Sequence, residues 1–137
     1  MKSPTAAWLI VLAIYCASLF FAGLHGGGTS LDGWVLLMFG WVQAFDGRCF
    51  AWLANPAFGV ALLLFISKRY RAAGILALVA LAIGLDTFRV ERFAYNEAGH
   101  TAEVDSVGLA FYLWEASFLM LAAFALGPRQ PMVGKIP

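Results

Sequence analysis

The sequence predicts an all-α fold, a polytopic membrane four-helix bundle with one short interfacial or re-entrant helix. Three observations support this fold class. Of the 137 residues, 62% are hydrophobic and only 12% are charged, whereas soluble domains contain about 25% charged residues. The mean hydropathy of +0.81 indicates more apolar surface than a chain of this length hides from water. Apolar runs of membrane-spanning length also recur along the chain.

Three apolar runs are clear candidate spans, because a bilayer core about 30 Å thick needs roughly 20 apolar residues in a helix. They cover residues 6–24, 72–88 and 107–126; the second of these contains one acid, Asp86, and the third contains one acid, Glu115. The first run follows Lys2 and Pro4, and it is too long for the apolar region of a signal peptide. Gly127 and Pro128 follow the last run, as helix-ending residues do. The chain length fits a single transmembrane domain over residues 1–137.

The segment between the first and third spans divides at Asp46, Gly47 and Arg48. Residues 50–67 are numerous enough to cross a bilayer as the second span. Residues 34–45 give a helix of about 18 Å at 1.5 Å per residue, which is too short to cross. We therefore expect a short helix on the outer side of the membrane rather than a fifth span.

The charged residues separate into two groups when four spans are assumed. One side has only basic residues: Lys2, Lys68, Arg69, Arg71, Arg129 and Lys135. The other side has Asp32, Asp46, Asp86, Glu91, Glu97, Glu103 and Asp105, together with Arg48, Arg89 and Arg92. Short cytoplasmic loops collect Lys and Arg. We therefore expect both termini in the cytoplasm and the loop over residues 89–106 outside.

Glu115, near the middle of the fourth span, is the first candidate functional residue. An ionisable group at that depth costs at least about 2 to 3 kcal/mol, so Glu115 is expected to be neutral, paired or in contact with water. Two interpretations stay open. Glu115 either forms a structural hydrogen bond between helices, with Tyr15 at similar depth as its partner, or has a function such as proton coupling.

Four further polar residues complete the candidate functional set. Asn55 precedes Pro56 in the second span, where the proline is expected to kink the helix. Asn55 then either satisfies a freed backbone group or forms a polar notch inside the bundle. Asp86 and Arg89 are three residues apart and can pair on one helix face, with Arg92 one further turn along. A contact between Arg89 and a buried carboxylate is the less favoured arrangement.

The short outer helix provides a candidate interaction surface. Large apolar side chains follow helical spacing along one face: Trp34, Met38, Trp41 and Phe45. The candidate contact residues are Trp34 and Trp41, together with Asp46 and Arg48 directly after the helix. This tryptophan-rich segment and the acidic outer loop form a specific surface for a partner.

We expect no catalytic residues, cofactor or metal from the sequence. Cys16 and Cys49 form no Cys-x-x-Cys pattern, and His25 and His100 fall in outer loops without metal-ligand spacing. Glycines 26–28 lack the Gly-Lys-Ser/Thr ending of a phosphate loop and are interpreted as a flexible connection. An enzyme is therefore the least favoured functional class.

Several motifs occur together in this chain: Gly40-Trp41, Phe50-Ala51-Trp52-Leu53-Ala54-Asn55-Pro56, the basic turn that follows, the Asn96-Glu97 loop and Phe111-Tyr112-Leu113-Trp114. As a set they resemble a family of small, uncharacterised bacterial inner-membrane proteins with four helices. Together they extend over more than half of the chain. The resemblance implies a bacterial inner-membrane location and the topology above, and it implies no activity.

The favoured functional hypothesis is a membrane interaction protein, either an accessory subunit of a membrane complex or an immunity protein against a membrane-acting toxin. Its expected partners are the lipid bilayer and either another membrane protein or a second copy of this chain. The net charge of +1 gives no reason to expect nucleic acid. The alternative is a small oligomeric carrier or channel in which Glu115 is the coupling or pore acid.

Overall fold

The computed structural model describes residues 4–45, 48–96 and 98–128. These residues contain six α-helices: α1 (Pro4–Ser18), α2 (Gly33–Phe39), α3 (Trp41–Phe45), α4 (Ala54–Ile66), α5 (Tyr70–Gly84) and α6 (Leu109–Leu126). Five short strands are β1 (Ala22–Gly26), β2 (Thr29–Asp32), β3 (Arg92–Ala94), β4 (Thr101–Glu103) and β5 (Ser106–Val107). Two 3₁₀ turns, Ala51–Leu53 and Leu85–Arg89, precede α4 and extend α5.

The expected fold class, an all-α membrane bundle of four helices, is wrong. The described residues form helices and antiparallel strands, and only two helices are long and apolar enough to span a membrane by length and composition, Tyr70–Arg89 and Leu109–Leu126. The first of these combines α5 with its 3₁₀ extension. With 15 residues in α1 and 13 in α4, these helices reach about 22 Å and 20 Å, against a bilayer core of about 30 Å.

The shorter helices differ from the expected spans at the C-terminal end of α1 and at the N-terminal end of α4. α1 ends at Ser18 rather than near residue 24, because residues 22–26 pair as strand β1. α4 begins at Ala54 rather than near residue 50, because residues 51–53 form a 3₁₀ turn. An apolar run has the same hydropathy in a strand, a turn or a helix, so composition alone does not locate these boundaries.

The four longest helices pack side by side, with α5 between α4 and α6 and with α1 against α6. The buried residues of α5 are all small: Ala73, Gly74, Ala77, Ala80 and Gly84. Small side chains let neighbouring helix backbones approach closely. At Gly74 an added Cβ would overlap the side chain of Leu126, so glycine makes room for that leucine.

The five strands, together with α2 and α3, form a cap at one end of these helices. The cap connects the C-terminal ends of α1 and α5 to the N-terminal ends of α4 and α6. One antiparallel sheet has the order β2–β1–β5, and β3 pairs with β4 as a separate hairpin. The buried centre of the cap contains Leu24, Phe93 and Ala102. The cap therefore has a small hydrophobic core of its own.

Gly27 and Gly28 form the two-residue turn of the β1–β2 hairpin, between the paired residues Gly26 and Thr29. Their φ angles are +58° and +76°. Two consecutive positive φ angles are typical of the type I′ turn that suits a hairpin, and glycine adopts them without steric cost. At Gly26 an added Cβ would overlap the carbonyl oxygen of Glu103. The interpretation of these glycines as a flexible connection is therefore wrong, because they allow a tight turn and a close backbone approach.

The segment expected as one helix over residues 34–45 is two helices, α2 and α3, separated at Gly40. The Gly40 N–H donates to the Leu36 carbonyl at 2.8 Å and closes α2. An added Cβ at Gly40 would lie 3.0 Å from Cδ1 of Trp52, so glycine lets the helix junction pack on that indole. Trp52 Nε1 also donates to the Leu37 carbonyl at 2.8 Å, which ties α2 to the start of α4.

The turn between α4 and α5 lies at the end of the helices away from the cap. Its Arg69 N–H donates to the Leu64 carbonyl at 2.8 Å, and its Lys68 N–H donates to the Phe65 carbonyl at 3.0 Å. This pair of bonds is the Schellman pattern, which needs a left-handed residue after the helix. Lys68 adopts that conformation with φ of +62°. The exposed side chains of Lys68 and Arg69, with Arg71 beside them, form a basic surface at this end.

Candidate functional site

A polar cluster joins three helices near the cap. Asn55 Oδ1 accepts hydrogen bonds from the Tyr15 hydroxyl at 2.8 Å and from Trp114 Nε1 at 2.9 Å. Tyr15 belongs to α1, Asn55 to the first turn of α4 and Trp114 to α6. All three side chains are partly buried. The Asn55 amide therefore links α4 to both α1 and α6.

The start of α4 holds the Asn55 side chain in place. Its Nδ2 donates to the Trp52 carbonyl at 3.1 Å. In a helix, this carbonyl would accept the backbone N–H of residue 56, but proline has no N–H. Pro56 lies in the first turn of α4, where a missing N–H is tolerated. The expected kink within a span is therefore wrong, because the proline begins the helix. Asn55 supplies the hydrogen bond that Pro56 lacks.

Glu115 lies on α6 where this helix meets Gly84 of α5. The residue is 8% exposed, and neither carboxyl oxygen has a hydrogen-bond partner among the described residues. An added Cβ at Gly84 would overlap Oε1 of Glu115, so the glycine provides the space that the carboxyl group occupies. The hydrogen bond between Glu115 and Tyr15, one of the two interpretations that the sequence leaves open, is not formed: neither Glu115 oxygen has a partner among the described residues, and the Tyr15 hydroxyl donates to Asn55.

These surroundings favour the neutral form of the Glu115 carboxyl group. A buried carboxylate without a partner loses its hydration and gains no compensating interaction. Arg89 pairs with Asp86 at 2.9 Å rather than with Glu115. A neutral carboxyl group can donate one hydrogen bond to an acceptor brought beside it, and it can release its proton when a cation or water reaches it.

Asp86 fastens the loop before α4 to the cap end of α5. Its Oδ2 accepts the Phe50 N–H at 2.6 Å, and its Oδ1 accepts Arg89 Nη1 at 2.9 Å. The Asp86 carbonyl accepts the thiol of Cys49 at 3.5 Å. Burial raises the pKa of the Cys49 thiol, which keeps it protonated and unreactive. These contacts give Asp86 and Arg89 a structural role.

The remaining candidate residues lie on the cap. Arg92 is exposed on β3, and Trp34, Trp41 and Arg48 are exposed on or near α2 and α3. Asp46 lies outside the described residues. The candidates therefore fall into three places: an internal group around Asn55 and Glu115, the Asp86–Arg89 pair at the cap end of α5, and an external group on the cap.

Two residues that organise the internal group, Trp114 and Gly84, are not among the candidates from the sequence. Trp114 could have been found, because a buried indole N–H needs an acceptor and the Asn55 amide is available in another apolar segment. Gly84 could not, since a glycine in an apolar run does not indicate which side chain will occupy the space beside it.

The described parts of the chain contain no group of three or more His, Cys, Asp or Glu side chains arranged to hold a metal ion. No family model matches the chain, and neither a curated protein nor a solved structure matches it. The resemblance to small bacterial inner-membrane proteins therefore rests on the sequence motifs alone.

Proposed function

We propose that the chain is a small membrane interaction protein whose cap binds another membrane protein. The main support is a row of four large apolar side chains that are exposed along α2 and α3. Trp34 is 52% exposed, Met38 59%, Trp41 43% and Phe45 84%. We call these four residues the apolar stripe. A contiguous exposed apolar surface is typical of a site of contact with a protein or a membrane.

The centre of the apolar stripe favours a protein over lipid headgroups. The Trp41 and Phe45 rings pack edge to face with their centroids 5.9 Å apart. Trp41 Nε1 donates to the Met38 carbonyl at 2.9 Å, so this indole has no free donor to offer to headgroups or water. Tryptophans of a membrane interface usually direct the N–H toward that wet side. An aromatic pair whose indole N–H already donates to a carbonyl of the same chain suits the dry centre of a protein interface.

An accessory subunit and an immunity protein are two forms of this function. Both would sit in the membrane through the long apolar helices and present the cap to a neighbouring protein. The identity of a stoichiometric partner, either a resident complex or a membrane-acting toxin, distinguishes them.

Replacing Phe45 with serine should lower recovery of the partner at least tenfold, because buried aromatic anchors of an interface contribute about 2 kcal/mol or more. The measurement is quantitative co-purification from native membranes in a mild detergent. Phe20→Ser is the matched control, since Phe20 is 82% exposed and lies outside the apolar stripe. Equal recovery with Phe45→Ser and wild type, or equal loss with both variants, contradicts the proposal.

The same proposal places the protein in a bacterial inner membrane with both termini in the cytoplasm and the cap outside. The basic surface of Lys68, Arg69 and Arg71, at the end of the helices away from the cap, supports this orientation. Acidic side chains on the cap, such as Asp32 and Glu103, are also typical of the outer side.

Cysteine labelling in intact cells tests the orientation. In a background with Cys16 and Cys49 replaced by alanine, a membrane-impermeant thiol reagent should modify a cysteine substituted for Ala98. It should spare a cysteine substituted for Arg69 until the membrane is permeabilised. Both positions are exposed in the structure, so that access to the reagent depends on the side of the membrane. The reverse labelling pattern would show that the orientation is inverted.

A second candidate function is an oligomeric carrier or channel that uses Glu115. The carboxyl group favours it, because a buried acid without a hydrogen-bond partner among the described residues can release its proton when a cation or water reaches it. This candidate requires a homo-oligomer that moves protons or cations into vesicles, and a folded Glu115→Gln variant that does not. Equal transport by wild type and Glu115→Gln excludes it.

A further inference from the structure

The cap contains an apolar groove that is separate from the apolar stripe. The groove has a volume of about 480 Å³ and lies between the α2–α3 pair and the β3–β4 hairpin. Its walls are mainly hydrophobic and include Leu31, Val35, Leu36, Phe39, Val42 and Phe93. A volume of this size falls in the range of about 300 to 1,000 Å³ that is typical of small-molecule sites.

A second groove of about 500 Å³, the basic groove, is lined by more arginines than acids. Arg48, Arg89 and Arg92 line it, together with Glu91. Arg89 is held by Asp86, and theirs is the one ion pair within residues 4–45, 48–96 and 98–128. In that part of the chain, Arg48 and Arg92 thus line the groove without an acidic partner.

The two grooves adjoin on the cap. Gln43 lines both of them. Residues 90–92 line the basic groove, and the residues that follow directly, 93–96, line the apolar groove. An apolar groove that continues into Arg48 and Arg92, which form no ion pair with another described residue, is complementary to a molecule with an apolar chain and an anionic head. A guanidinium group can donate two parallel N–H···O hydrogen bonds to the oxygens of one phosphate group.

We propose that the joined grooves bind one phospholipid with a net anionic headgroup. The phosphate lies at Arg48 and Arg92, and one acyl chain lies along Val35, Phe39 and Val42. The position fits, because the grooves lie on the cap at the ends of the two long apolar helices, where headgroups of a surrounding bilayer would be found. This site does not depend on the apolar stripe or on its partner.

Native mass spectrometry of the full chain in neutral detergent tests the proposal. The probes are phosphatidylglycerol, phosphatidylcholine with the same acyl chains, and inorganic phosphate. We expect one bound phosphatidylglycerol, retained at least tenfold more strongly than phosphatidylcholine. Arg48→Gln and Arg92→Gln should each reduce this retention several-fold. Inorganic phosphate should bind much more weakly than the lipid, because it leaves the apolar groove empty.

Two further variants separate a specific site from general charge attraction. Arg71→Gln removes an exposed positive charge at the other end of the helices and should leave retention unchanged. Val42→Asp places a charge in the apolar groove and should weaken lipid binding with both arginines still present. Equal retention of the two lipids, or equal loss with Arg71→Gln and Arg92→Gln, overturns the proposal. Phosphate binding as tight as that of phosphatidylglycerol overturns the assignment to a lipid.

Discussion

Replacing Asn55 with alanine is expected to destabilise the protein by about 2 to 4 kcal/mol, because each buried group left without its partner costs about 1 to 3 kcal/mol. The Tyr15 hydroxyl and Trp114 Nε1 lose their shared acceptor. The Trp52 carbonyl loses its bond from Nδ2 in the same variant. Reversible denaturation in detergent micelles, followed by circular dichroism, measures the free energy of unfolding.

The loss of stability should follow the number of hydrogen bonds that each variant removes. Tyr15→Phe removes one of the two donors to Asn55 and should cost about 1 kcal/mol. Tyr112→Phe is the control, because Tyr112 is 56% exposed on α6, and it should change stability by less than about 0.5 kcal/mol. A cost for Asn55→Ala no greater than that for Tyr15→Phe would show that Asn55 is not the shared acceptor.

Replacing Gly84 with alanine is expected to cost about 1 to 3 kcal/mol, because it overpacks the contact between α5 and α6. The added methyl group would overlap Oε1 of Glu115 and lie 3.0 Å from the Trp114 ring. The same change in a Glu115→Ala background should cost less, since the overlapped carboxyl group is gone. The difference between the two costs should be about 0.5 to 3 kcal/mol in the double-mutant cycle.

Gly59→Ala is the matched control for Gly84→Ala. Gly59 also lies inside a helix, and an added Cβ there meets nothing within 4 Å. The alanine should be neutral or stabilise the protein by up to about 1 kcal/mol, because alanine favours a helix interior over glycine. Strictly additive effects of Gly84→Ala and Glu115→Ala would show that the two residues do not touch.

Sequence reasoning locates the two long helices because their apolar runs have clear boundaries. The run that ends at Leu126 is followed by Gly127 and Pro128, and the structure ends α6 at the same place. The pairing of Asp86 with Arg89 also follows from their spacing of three residues. These features depend on neighbours along the chain, which a sequence displays directly.

The cap was not predictable in the same way. Strand β1 continues the apolar composition of α1, so hydropathy extended the first helix into it. Its partner β5 is far along the chain, where Leu24 pairs with Val107. The Gly27-Gly28 turn carries a hairpin motif, but the absence of alternating polar residues hid the strands around it.

The internal site was only partly predictable for a related reason. Tyr15, Asn55 and Glu115 stand out as polar residues in apolar runs, and all three lie between the helices. Which of them bond to each other depends on helix rotation, which a nearly uniform apolar helix does not reveal. The sequence therefore could not show that Tyr15 forms its hydrogen bond with Asn55 and not with Glu115.

The proposed contact between the apolar stripe and a membrane protein is tested most directly by site-specific photo-crosslinking in intact cells. A photoreactive amino acid in place of Phe45 is predicted to give one discrete protein adduct of constant mass. The same amino acid in place of Phe20, which is equally exposed outside the stripe, is predicted to give lipid adducts only. Lipid adducts alone at position 45, or the same adducts at both positions, would contradict the proposed function.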